Sequence, residues 1–119
     1  MKILTLIIKQ KYFDEILAGT KTQEFREIRP SSQSKYCELD EEGFCKEVDG
    51  VFIPRKYDAI RFYVGYNKNR ASALVEVKDA NIELFVDEND EFILQVQDCI
   101  EYYKSQIVYD LGRVIEKNV

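Results

Sequence analysis

Apolar positions follow three rhythms along this chain, and each predicts a different element. Ile3 to Ile8 is a continuous run rich in β-branched residues, the mark of a buried strand, and Lys9, Gln10 and Lys11 end it. Tyr12, Phe13, Ile16 and Leu17 then recur at helical spacing and form one apolar face, with Asp14 and Glu15 turned to water. Gly19 suits the left-handed position that closes a helix. Thr22 to Ile28 alternates like a strand, so Thr22, Glu24 and Arg26 share one side while Gln23 and Phe25 take the other. On this pattern Phe25 is the expected core residue. The strand ends before Pro30.

Beyond it the rhythm weakens. Ser31 to Pro54 is a long polar excursion, relieved only by apolar residues between Phe44 and Ile53 that predict a short hairpin around Asp49 and Gly50. Tyr57 to Tyr66 resumes as a strand with Ile60, Phe62 and Val64 on one face, and Gly65, Asn67 and Asn69 mark the turn after it. Ser72 to Leu84 is long and strand-like, with a bend expected at Lys78 to Asn81. DENDEF is a solvated acidic turn. The spacing of Leu94, Gln97, Ile100 and Tyr103 predicts a second helix over Ile93 to Tyr103, and Gln106 to Glu116 a closing strand in which Gly112 marks a bulge or a close backbone approach. The order β, α, β, long loop, β, β, α, β predicts an α+β protein, a small mixed and partly closed β-barrel.

Length and composition narrow the class. A chain of 119 residues with 45% hydrophobic and 33% charged residues reads as one folded domain, 1–119, able to bury a core without staples. No apolar run approaches the roughly 20 residues that span a membrane, and Met1 leads into a strand-like ILTLII rather than a signal peptide. A cytoplasmic protein is expected. Cys37, Cys45 and Cys99 form no CxxC pair, and the chain has no His, so no metal site or cofactor is expected. Cys37 and Cys45 can pair under oxidation; reduced thiols are the expectation without a secretory signal.

The net charge of −5 argues against nucleic acid until its distribution is considered. Met1 to Lys35 carries seven Lys and Arg against four Asp and Glu, and Val51 to Lys78 six against two. The acid gathers in Cys37 to Gly50, one against six, and in Asp79 to Val119, three against ten. A basic face on an acidic protein follows, and the acidic C-terminal half offers a surface for protein interaction. Lys21, Glu24 and Arg26 gather an ammonium, a carboxylate and a guanidinium just past a helix end. Tyr66, Lys68 and Arg70, in the run GYNKNR, add a ring and two cations suited to a base and its phosphate.

Three passages, YFDEILAGTKTQEFREI, GYNKNRASALVEVKDA and VYDLGRVIEK, resemble the ASCH domain family, the activating-signal cointegrator homology domains. The resemblance implies a PUA-like β-barrel with a cleft between the barrel and the first helix, lined by Gly19 to Arg26. It also implies binding of RNA or a nucleoside-like ligand, by analogy with the related PUA domains. One ASCH-like branch is an amidohydrolase that deacetylates N4-acetylcytidine with a lysine, a threonine and a glutamate. Lys21 matches that lysine, Glu24 stands where the threonine would be, and Thr22 lies two residues earlier. If this chain is an enzyme, the resemblance therefore implicates Lys21, Thr22 and Glu24. Ser31 to Pro54 and Asp87 to Lys104 have no counterpart in the family pattern.

Overall fold

The computed structural model describes all 119 residues. A five-stranded mixed sheet is built from β1 (Ile3–Ile8), β2 (Gln23–Ile28), β5 (Ala59–Val64), β6 (Ser72–Leu84) and β9 (Ser105–Asn118), in the order β1-β5-β6-β9-β2. β1 runs parallel to β5 with Ile3 opposite Ala59 and Ile8 opposite Val64, and β5 pairs antiparallel with β6. Two small antiparallel hairpins complete the strands. β3 (Glu47–Val48) pairs with β4 (Val51–Phe52), and β7 (Leu94–Gln97) with β8 (Ile100–Tyr103). The helices are α1 (Gln10–Ala18) and α2 (Gln33–Tyr36), the latter following a 3-10 turn at Pro30–Ser32.

The expected PUA-like barrel is not the fold. The sheet is open, with β1 and β2 at its two edges. Each edge strand has 6 residues while the strands between them reach 13 and 14, so a ladder joining the edges could cover only part of the sheet. The second helix predicted near the C-terminus is also absent: Ile93 to Tyr103 holds the β7–β8 hairpin instead. Its two-residue turn, Asp98 and Cys99, has φ of 52° and 66°, the double positive φ that a tight hairpin requires. Alternation then leaves Leu94 and Val96 exposed and Gln95 and Gln97 half-buried. The hairpin expected at Asp49 and Gly50 is present, with Val48 opposite Val51.

Two compact units divide the chain. The first comprises Met1–Glu24, Lys56–Asp79 and Tyr109–Val119, and the second Phe25–Arg55 and Ala80–Val108. In the first, Leu4, Leu6 and Ile8 of β1, Ile60 and Phe62 of β5, Val75 of β6 and Tyr109 of β9 form a core that Phe13 and Ile16 of α1 complete. Burial of such side chains at roughly 1.5–3 kcal/mol each is what holds a nine-residue helix that would not be stable alone. Gly112 lies against Glu76 so closely that a Cβ there would run into the Glu76 carboxylate; the neighbour at this glycine is a side chain. In the second unit Ile28, Tyr36, Cys37, Ile107 and Val108 are buried. No helix is long and apolar enough to cross a membrane.

The candidate ligand site at the first helix and second strand

Helix α1 ends where Gly19 adopts φ 81° and turns its N–H back to the Ile16 carbonyl at 3.1 Å. Thr20 N and Lys21 N both donate to the Glu15 carbonyl, at 3.0 and 3.1 Å, and the Thr20 hydroxyl donates to the same oxygen at 3.2 Å. Four donors tied to the last helical turn fix where the Lys21 side chain starts. From there its ammonium lies 5.5 Å from the centre of the Tyr12 ring and 3.9 Å from Glu24 Oε1. The cation thus faces both an aromatic ring and a carboxylate.

Glu24 faces inward, and only 6% of the residue is exposed. Phe25, the residue the alternation suggested for the core, is instead 45% exposed. The two-residue repeat of β2 keeps its expected phase, but the side that carries Glu24 and Arg26 is the one turned in. Withdrawing a carboxylate from water costs several kcal/mol unless a partner compensates, so hydrophobic burial alone would have chosen the opposite orientation. At the start of this strand the Thr22 carbonyl accepts from Leu111 N at 2.9 Å and Gln23 Nε2 donates to Asp110 Oδ1 at 2.7 Å. Thr22 itself is exposed. Arg26 follows on β2, half-buried, and belongs to the second unit.

The turn between β5 and β6 divides its expected site residues between two tasks. Arg70 is committed to the turn, its guanidinium 4.0 Å from the centre of the Tyr63 ring and its Nη1 donating to the Gly65 carbonyl at 3.2 Å. Tyr66, by contrast, is 84% exposed, and Lys68 is exposed beside it. Because Ile8 lies opposite Val64, this turn emerges at the end of the sheet where β1 passes into α1. Tyr12 and Lys11 stand in the first turn of that helix, with Lys11 Nζ 5.8 Å from the Tyr12 ring centre.

Tyr12 is the residue that sequence reasoning missed. Its spacing assigned it to the apolar face, yet it is 42% exposed and has two ammonium groups near its ring. The available signal was its position at the edge of the apolar arc, where a tyrosine keeps its polar end wet. Elsewhere, Arg61 Nη1 pairs with Glu116 Oε1 at 3.8 Å, and Arg55 and Lys56 are exposed. A cavity of about 610 Å³ lies wholly in the second unit, and none of the expected site residues lines it.

Charge separates between the units more sharply than along the chain. The first unit has eleven Lys and Arg against eight Asp and Glu, net +3, and the second six against fourteen, net −8. No group of His, Cys, Asp and Glu has the makings of a metal site. The chain matches no protein-family model, no curated protein and no solved structure.

Proposed function

We propose that the first unit binds RNA or a modified nucleoside, in the cytoplasm, through Lys21 and Glu24. The observation that carries this reading is the inward-facing Glu24 with the Lys21 ammonium 3.9 Å away, on a strand whose phenylalanine faces water. A carboxylate accepts from a base amine, and an ammonium donates to a base carbonyl or to phosphate. Tyr66 supplies an exposed ring on which a base can stack, and Lys11 and Lys68 supply charge for the backbone. The net +3 of the unit supports the same reading, as does the sequence resemblance to ASCH domains.

Fluorescence anisotropy with a short labelled single-stranded RNA tests it. Affinity should fall with salt at a slope of about −0.7 for each phosphate contacted, and Lys68→Ala should weaken binding and flatten that slope. Binding indifferent to salt and to Lys68→Ala would overturn the role of phosphate.

The contact between an ammonium and a carboxylate, with Thr22 an exposed residue nearby in sequence, also favours a second reading: hydrolysis of an acylated nucleoside. Incubation with N4-acetylcytidine decides it. Release of cytidine that disappears in Lys21→Ala supports hydrolysis, and no release removes it.

A further inference from the structure

Two cysteines, Cys37 and Cys45, are among the residues that line the 610 Å³ cavity in the second unit. Their backbone is held from several sides. Leu39 bridges Cys45 antiparallel and Cys37 bridges Pro54, while Lys46 N donates to the Glu38 carbonyl at 2.8 Å and Asp40 N to the Phe44 carbonyl at 2.8 Å. Residues two apart on an extended segment share a face, so Cys37 falls on the side of Leu39 and Cys45. There the two thiols meet in a hydrogen bond.

We propose that Cys37 and Cys45 form a peroxide-reactive dithiol site, in which Cys45 attacks a hydroperoxide from the cavity wall and Cys37 resolves the product as an intramolecular disulfide. The roles follow from exposure. Cys37 is fully buried, whereas Cys45 is partly exposed and opens onto the cavity. The hydrogen bond from Cys37 favours the Cys45 thiolate and lowers its pKa, against the opposing effects of burial and of Asp40. As donor in that bond, and buried, Cys37 is held protonated, with Arg55 opposing weakly.

In the first step the Cys45 sulfur forms a bond to a peroxide oxygen as the O–O bond breaks, and the departing oxygen takes a proton to leave as water or an alcohol. Cys45 is oxidised by two electrons to the sulfenic acid and the peroxide is reduced. In the second step the Cys37 sulfur bonds to the Cys45 sulfur as the S–O bond breaks. The hydroxide released takes the Cys37 proton and leaves as water.

The test uses the reduced full-length chain, one equivalent of hydrogen peroxide, and mass analysis without reductant. The expected result is a chain lighter by two hydrogens, cross-linked between Cys37 and Cys45, with Cys99 still free and the change reversed by dithiothreitol. In Cys37→Ser the sulfenic acid should persist on Cys45 and be trapped by dimedone at least about tenfold faster than any adduct at Cys99. Oxidation of Cys99 as fast as Cys45, linkage of chains through Cys99, or Cys37 and Cys45 left reduced would each overturn the proposal.

Discussion

Lys21 Nζ lies 3.9 Å from Glu24 Oε1, and the two side chains retain only 17% and 8% of their exposure. An ion pair this withdrawn is a poor way to gain stability, because desolvation offsets most of the attraction. Two roles can be tested for it: support of the fold, and the proposed contact with a ligand.

Stability measurements distinguish these roles. Lys21→Met removes one partner of the buried Glu24 carboxylate and should cost about 3 kcal/mol in urea unfolding. The double variant Lys21→Met with Glu24→Leu replaces both charges by apolar groups of similar volume, and should equal or exceed the stability of the natural chain. A double variant as unstable as the single one would assign the pair a structural role.

The helix end that positions Lys21 can be weakened without touching the pair. Gly19 has φ 81°, with nothing within 4 Å of an added Cβ, so Gly19→Ala introduces backbone strain and no clash. A loss of about 1 kcal/mol is expected, read from the urea midpoint.

Gly112→Ala presents the opposite case, a clash without a positive φ. The new Cβ would meet the Glu76 carboxylate and lie 3.1 Å from Glu76 Cβ. A cost of about 1–2 kcal/mol is expected, recovered largely when Glu76→Ala is added, so that a double-mutant cycle shows strong coupling.

Much of the first unit was legible from spacing. Ile3 to Ile8, the apolar face of α1, the glycine that ends it and the long β6 all rest on local periodicity that tertiary contacts did not override. What failed was decided by less local physics. The sequence at Asp98 and Cys99 carries no Asn-Gly signal, so the apolar spacing around it read as a helix although both residues take positive φ. α2 spans four residues, too few for a periodic signature. At β2 alternation identified two faces but not which one turns in, and hydrophobicity chose Phe25 over Glu24 wrongly. Sequence brought Lys21 and Glu24 together correctly, but it offered no view of Arg70 stacked on Tyr63.

The thiol pair makes stability depend on pH. Between the lowered Cys45 value and the ordinary thiol value of 9.0, the unfolded chain keeps a proton that the folded chain has released, so stability rises with pH and this gain is complete above 9.0. Cys37 is shifted upward, so its contribution is complete below 9.0 and is lost as pH rises beyond it, where only the unfolded chain gives up the proton. Under reducing conditions, the stability difference between the natural chain and the double variant Cys37→Ala with Cys45→Ala should therefore peak near pH 9. Urea midpoints from about pH 7 to pH 10.5 check this, and a difference that stays flat would contradict the thiol contact.

The most direct test of the ligand site compares RNA binding by the natural chain and by the Lys21→Met with Glu24→Leu variant, each first shown to be folded. Titration of a short single-stranded RNA at low salt should saturate with the natural chain and weaken at least about tenfold in the variant, a difference of about 1.4 kcal/mol. Equal affinity in the two proteins would contradict the account.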